Sequence, residues 1–396
     1  MKLSQRITHL TKDGGDGWDV FYRARRMILD GYAVTELTIG EHDIRTDPTI
    51  LEAMDLSARQ GHTGYAMVPG TDLLRDTVAA RLQARTGVPT TRNNVLITPG
   101  GQAGLFAAHV AVCDPGDVGL YLDPFYATYP GTIRGAGAVA RAIQTTAEDA
   151  FQPRANLIDA AADGAVSLLI NTPNNPTGAV YGRETLDGIA KLCRNRDLWL
   201  ISDEVYDTQV WDGQHISPRT LPGMSERTLV VGSMSKSHAM TGSRCGWVVG
   251  PEEVIAHLIN LATHTTYGVP GFIQDAASFA LNAGHALEEQ IALPFRKRRA
   301  LAVEILNAQN TVGLVPAQGA MYLMLDIRAT GLSGEEFANA LLDTHSIAVM
   351  PGESFGSAAA GHIRVAMTID DERFCAALST ICTFAADLAK KQVAAT

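Results

Sequence analysis

Lys236 stands between Ser235 and Ser237 in the stretch "VVGSMSKSHAMTGSRCGWVVG", residues 230–250, with an apolar run on either side. Arg244 follows eight residues later. A lysine lodged between two buried strands loses hydration, which favours the neutral amine and makes it a nucleophile. The competing reading is a solvated loop lysine, and the rest of the chain decides between them. Ser233, Ser235 and Arg244 supply donors of the kind that hold an anionic phosphate.

Four other stretches bear on the choice. "ISDEVY" (201–206) puts Asp203 at the end of an apolar run, with Tyr206 three residues on. Asp203, Glu204 and Asp207 invite a metal reading, but strand alternation sends 203 and 204 to opposite faces and no histidine lies nearby. A single buried carboxylate calls instead for a cation such as a protonated ring nitrogen. "NTPNNPTG" (171–178) is a rigid turn rich in amides, and Asn175 in it can donate to a phenolate or a carboxylate. "DPFYATYP" (123–130) places Tyr126 where an aromatic ring can stack on a planar ligand; Phe125 reads as core. "ITPGGQAG" (97–104) ends a strand in Gly100 and Gly101 and opens a helix at about Gln102, an arrangement that can cradle a phosphate. A neutral amine, a carboxylate for a ring nitrogen, a stacking ring and a phosphate cradle together describe pyridoxal 5′-phosphate. Lys236 would form its Schiff base and the ring would serve as electron sink.

These residues need a scaffold that brings strand ends together. "NVLITPGG", "VGLYLDP", "AVSLLINTP", "LWLISDEVY", "TLVVGSM" and "CGWVVG" read as buried strands, with helical segments such as "RETLDGIAKLCRNR" between several of them. The helical run "TDLLRDTVAARLQARTG" starts at an N-cap, Thr71, and stops at Gly87. Continuous apolar strands with helical crossovers predict an α/β fold: a large domain with a mostly parallel sheet flanked by helices. In such sheets ligands bind beyond the carboxyl ends of the strands, which is where the polar residues cluster. After about 290 the pattern changes to a long helix, "GAMYLMLDI", the helix "GEEFANALLDTH", the strands "IAVMPG" and "HIRVAMT", and a closing helix. This predicts a smaller α+β domain formed by both chain ends, residues 1–44 and 291–396, around a large cofactor domain at 45–290.

The chain has 396 residues and a formal net charge of −10, which argues against nucleic-acid binding. "FRKRR" (295–299) reads as one solvated helix face. Five scattered cysteines without a CxxC pair suit reduced thiols in a cytoplasmic protein. No signal-peptide core and no membrane-length apolar run are evident. "GAGAVA" (135–140) imitates a dinucleotide fingerprint but stops a helix rather than opening one, and "GESFG" (352–356) has its serine one place late for a nucleophile elbow.

With "YAMVPGTDLLR", "PNNPTG", "SDEVY", "SMSKSHAMTGSRCGW" and "HIRVAMT" in this order, the chain resembles the class I/II aminotransferases, fold-type I enzymes dependent on pyridoxal phosphate, from about Leu37 to Ile369. The resemblance implies that Lys236 is the Schiff-base lysine and proton shuttle, and that Asp203 keeps the ring nitrogen protonated. It implies that Asn175 and Tyr206 bond the phenolic oxygen, that Tyr126 stacks on the ring, and that the backbone of Gly101 and Gln102 with Ser233 and Arg244 binds phosphate. Tyr65 would reach the cofactor of a neighbouring subunit, which implies a homodimer with shared sites. Arg364, with the backbone of Gly40, would grip the substrate α-carboxylate; Asn175 would also border the substrate. His42 stands where the family usually has proline, and is read as solvated or capping. Gln102 stands where some aspartate-specific members carry lysine, so a neutral or aromatic donor is at least as well supported as aspartate, with 2-oxoglutarate as acceptor by family habit. The loops at 14–42 and 263–272 would shape the side-chain pocket. Two alternatives remain at this level: a C–S β-lyase on the same scaffold, and a non-catalytic ligand sensor, for which the chain outside the resemblance leaves too little room for a DNA-binding module.

Overall fold

The computed structural model describes residues 1–11 and 18–395; residues 14–17 of the expected pocket loop lie outside them. Seven strands form the main sheet: β1 (Val95–Thr98), β2 (Val118–Asp123), β3 (Val139–Gln144), β4 (Ala165–Asn171), β5 (Trp199–Asp203), β6 (Thr228–Ser233) and β7 (Gly246–Val249). Their spatial order is β1-β7-β6-β5-β4-β2-β3. All neighbours pair parallel except β7, which runs antiparallel to both β1 and β6. β1, β2, β6 and β7 are buried at every position, as expected of a sheet covered on both faces. Edge strand β3 instead exposes Val139, Ala142 and Gln144.

The helix Asp72–Thr86 begins where Thr71 accepts a hydrogen bond from the Leu74 amide, and it ends at Gly87, whose φ of +70° suits a left-handed cap. The helix Gly101–Val112 follows β1 after only Pro99 and Gly100. "GAGAVA" lies at the end of the helix Tyr129–Gly135, as its pattern indicated.

A second sheet of four strands, β8 (Gly313–Leu314), β9 (Tyr322–Asp326), β10 (Met350–Pro351) and β11 (His362–Ala366), is antiparallel in the order β10-β11-β9-β8. Phe295, Phe337 and Phe374, from the helices His285–Asn307, Gly334–His345 and Asp371–Ala395, share one core with Leu323 and Val365 of this sheet. The helix His285–Asn307 runs across residue 290, so a boundary there falls within a helix. "IAVMPG" is not one strand: Ile347–Ala348 pairs in parallel with Thr35–Glu36, and only Met350–Pro351 joins β11. The N-terminal segment captures the first pair of residues, and Pro351, lacking an amide hydrogen, limits the second. That capture carries residues 37–43 toward the strand ends of the main sheet.

"FRKRR" also departs from expectation. Arg296 and Lys297 are exposed, but Arg298 is buried and holds Asp43 by two bonds of 2.9 and 2.7 Å and Asp371 by one of 2.9 Å. A buried cation needs such partners, and this one ties the N-terminal segment to the last helix. "GESFG" is a short turn of 3-10 helix docked on β2: Ser357 donates to Asp123 at 3.1 Å, and the Phe125 amide donates to the Phe355 carbonyl at 2.8 Å. A Cβ at Gly356 would lie 2.0 Å from the Asp123 carboxylate, so only glycine fits. Among the described residues no helix is long and apolar enough to cross a membrane. All five cysteines are free thiols.

Candidate active site

Parallel pairing in register puts Asn171 beside Asp203, and Ser233 lies opposite Gly246 across the next pair. A cavity of about 300 Å³ opens at these ends. Gly40, Gly101, Gln102, Tyr126, Asn175, Asp203, Tyr206, Ser233, Lys236, Arg244 and Arg364 all line it. Tyr65 does not: it is 92% exposed and packs edge-on against Tyr267.

The cavity floor holds a buried carboxylate. Asp203 is buried, and burial pushes its pKa up to about 6 although the Tyr129 hydroxyl donates to it at 2.6 Å. Among the described residues no cation pairs with it, so the carboxylate is short of a positive partner. Beside it, Tyr206 and Tyr322 share a hydroxyl–hydroxyl contact of 3.0 Å, and burial lifts Tyr206 well above an ordinary phenol. Tyr126 stands edge-on to Tyr129 with ring centroids 5.7 Å apart.

Lys236 is half-buried in the wall, on a short helical turn just after β6. Desolvation pulls its pKa below the ordinary amine range. Its Nζ donates to the Gly40 carbonyl at 2.5 Å. A Cβ on Gly40 would meet the Tyr322 hydroxyl at 1.8 Å, so the chain passes there as glycine or not at all. His42 is half-buried rather than solvated, and its ring caps a carbonyl in the last turn of the short helix Met234–Ser237. Its Nε2 contacts the Lys236 carbonyl at 3.0 Å, and its ring sits edge-on to Phe295 at 5.5 Å. Burial, with Lys236 adding to it, lowers its pKa to about 4, so the ring is neutral and donates from Nε2. Of the two sequence readings, capping holds and solvation does not: the pairing of Thr35–Glu36 with Ile347–Ala348, invisible locally, folds His42 inward.

Arg364 is 1% exposed. Its Nη1 donates to the Asn175 side-chain oxygen at 2.8 Å, and its Nη2 donates to the Thr38 carbonyl. The guanidinium lies between the Tyr322 and Phe355 rings, 4.3 Å from each centroid. Its Nε has no partner, and among the described residues no carboxylate pairs with it. A buried, unneutralised guanidinium lining a cavity is a receptor for an anion.

At the opposite end the structure fits a phosphate. Gly100 (φ +80°) gives the helix Gly101–Val112 no side-chain cap, so its first amides stay available. A Cβ at Gly100 would lie 2.3 Å from Arg244, and one at Gly246 would lie 2.9 Å from the Gly101 amide nitrogen. Ser233 bonds Ser235 at 3.0 Å beside this turn. Gln102 spends its amide on Thr132 and Thr128, at 2.7 and 2.9 Å. The donor set thus matches an elongated ligand with an anionic end, a planar ring and a basic ring nitrogen.

Tyr129 and Tyr322 were missed. Tyr129 had a signal, since it follows Tyr126 by three residues at a helix start; Tyr322 had none, because only the meeting of the two sheets brings it in. Trp18 and Glu41 also line the cavity.

The model of the family described as aminotransferase class I and II matches residues 32–381. The chain belongs to the class I and II aminotransferases. It is 40% identical over 391 residues to the arginine–pyruvate transaminase of Pseudomonas aeruginosa, spanning 98% of this chain and 99% of that one. It is 34% identical over 361 residues to the aspartate/prephenate aminotransferase of Thermus thermophilus, spanning 90% and 92%. Among solved structures, the Thermus thermophilus aspartate aminotransferase with maleate superposes with a TM-score of 0.91 at 32% identity, covering 97% of this chain and all of that one. The aromatic aminotransferase of Pyrococcus horikoshii OT3 gives 0.86 at 30%, covering 93% and 99%. The fold is therefore that of fold-type I aminotransferases, a family that uses pyridoxal 5′-phosphate. This aminotransferase acts on amino and 2-oxo acids as its relatives do, and their names do not favour the lyase alternative.

Proposed function

We propose that this cavity moves the amino group of an α-amino acid to a 2-oxo acid, with a neutral, aromatic or other non-acidic donor ahead of aspartate. The observation that carries the reading is Arg364, buried and, among the described residues, unpaired with any carboxylate, lining the same cavity as the desolvated amine of Lys236. The neutral, engaged amide of Gln102 and the likeness to an arginine–pyruvate transaminase support the ranking of donors. Pyridoxal 5′-phosphate, when bound, supplies an aldehyde to take the amino group and a ring that withdraws electrons.

Lys236 would hold that aldehyde and be displaced by the donor. Asp203 keeps a proton on the ring nitrogen, and Tyr129 holds Asp203 in place. Asn175, whose oxygen is engaged by Arg364, keeps its amide nitrogen for the phenolic oxygen, together with Tyr206. Tyr126 stacks on the ring. The Gly101 and Gln102 amides, Ser233 and Arg244 hold the phosphate. Arg364 and the Gly40 backbone would fix the α-carboxylate and turn the substrate Cα–H toward Lys236 Nζ, which would take and hold that proton. Tyr65, with exposed Met67 and Tyr267, would complete the site of a partner subunit in a cytoplasmic homodimer. The division at 45 and 290 would separate the cofactor domain from the one that carries Arg364.

The test is spectral and chemical. Cofactor-loaded protein should lose its visible absorbance on addition of an amino donor and regain it with a 2-oxo acid, and borohydride should tag Lys236. Labelling of another lysine, or nitrogen release as ammonia with no acceptor needed, would refute the reading.

A further inference from the structure

The cavity rim carries a charge that the transfer of an amino group does not by itself require. Its lining holds three basic side chains, Lys236, Arg244 and Arg364, and two carboxylates, Asp203 and Glu41. Asp203 is buried at the floor, whereas Glu41 is exposed at the mouth. Among the described residues the Glu41 carboxylate accepts one long bond, 3.4 Å from the Thr241 hydroxyl, and has no ion-pair partner. Yet its backbone is pinned on both sides. Gly40 receives the Lys236 ammonium at 2.5 Å and abuts Tyr322; His42 holds the Lys236 carbonyl at 3.0 Å; Asp43 is clamped by Arg298. Trp18, half-buried, lines the same cavity. Gln102, the polar side chain of the phosphate turn, is neutral and engaged with Thr128 and Thr132.

Resting on the aminotransferase reading, we infer that Glu41 and Trp18 form the subsite for the donor side chain and select one that ends in a cation. With the α-carboxylate on Arg364 and Cα at Lys236, a chain of three or four methylenes extends away from the floor. A guanidinium or ammonium at its end meets the Glu41 carboxylate and the indole face, an ion pair with a cation–π contact. A second carboxylate on either substrate would meet Glu41 instead and be repelled. The acceptor is accordingly a small monocarboxylic 2-oxo acid in preference to a dicarboxylic one. Glu41 is a specificity-determining residue and takes no part in the proton transfer.

Arginine and citrulline give the sharpest comparison, because they share a shape and differ in charge. In cofactor-loaded enzyme with pyruvate as acceptor, kcat/KM for arginine should exceed that for citrulline by about 10-fold or more. Glu41→Gln should collapse that ratio mainly through KM, and Glu41→Lys should turn preference toward dicarboxylic donors and 2-oxoglutarate. As a readout independent of turnover, 5-guanidinopentanoate should compete with substrate better than hexanoate does, and lose that advantage in Glu41→Gln. An arginine-to-citrulline ratio near one, or one that Glu41→Gln leaves unchanged, overturns the inference. In that outcome transfer from any donor to pyruvate still upholds the aminotransferase reading, which falls if no donor yields alanine or glutamate.

Discussion

Asp203 and Glu204 are consecutive, yet they face two different polar cavities on either side of the main sheet. Asp203 lines the site described above. Glu204 lines a second cavity of about 450 Å³ with Arg81, Arg85, Asp207 and His215, and Ser233 borders both. The two differ in how their charges are settled. In the second cavity Glu204 accepts from Ser202, Ser217 and His215 at 2.9, 2.8 and 3.1 Å. Arg85 bonds Asp207 and reaches Glu288 at 3.0 Å, while Arg81 pairs with Glu288 and reaches Asp207 at 3.6 Å. Burial works to raise Asp207, but the two arginines outweigh it and its pKa falls. In the first cavity, among the described residues, no cation pairs with Asp203 and no carboxylate with Arg364, and Lys236 is pushed toward neutrality. A self-neutralised cluster holds the fold together, whereas an active site keeps its charges uncompensated for a ligand to complete.

The contrast can be broken by substitution. Lys236→Ala should abolish transfer, by about 10⁴-fold in kcat/KM, while leaving the folded state intact by circular dichroism. Glu288→Gln should do the reverse. With one of two carboxylates gone, Arg81 and Arg85 are left undercompensated, and stability should fall by about 3 kcal/mol in urea unfolding. Its kcat/KM at a temperature where the variant is folded should stay within a few-fold of the parent. A Glu288 variant that loses activity without losing stability would erase the distinction. Tyr129→Phe should cost about 10-fold in kcat, the scale of one hydrogen bond to a charged group, and should move the pH dependence of the cofactor spectrum that Asp203 governs.

His109 sharpens the comparison from a third side, since it is buried with neither ring nitrogen bonded and belongs to neither cavity. Burial lowers its pKa from 6.5 to about 4. Between those values the unfolded chain holds a proton that the folded chain lacks. Its contribution is therefore intact above pH 6.5 and lost as pH falls toward 4, at up to about 1.4 kcal/mol per pH unit. His109→Leu should flatten the acid limb of the stability–pH curve and leave the limb above pH 7 unchanged.

Much of the catalytic floor could be read one residue at a time. Lys236, Asp203, Asn175 and Gly101 each sit at or just after the end of an apolar strand, and parallel pairing converts that local fact into a shared location. Tyr129 was half visible, three places after Tyr126. Tyr322, Glu41, Trp18 and the inward turn of His42 were not, because each depends on how the second sheet and the N-terminal segment meet the first. The mismatch at "IAVMPG" has the same origin: its hydrophobicity fits one strand as well as two, and only the competing partner at Thr35–Glu36 decides.

What this sequence determined alone is the chemistry of the floor and the class of fold, since residue type and the strand-then-polar rhythm are local properties. What only the tertiary structure decided is which charges are neutralised and which are not. Compensation depends on distances between elements remote in the chain: Arg298 with Asp43, Arg85 with Asp207, and Arg364 with no carboxylate among the described residues. Electrostatic energy follows those distances and the burial around them, and neither is written in any single stretch of residues.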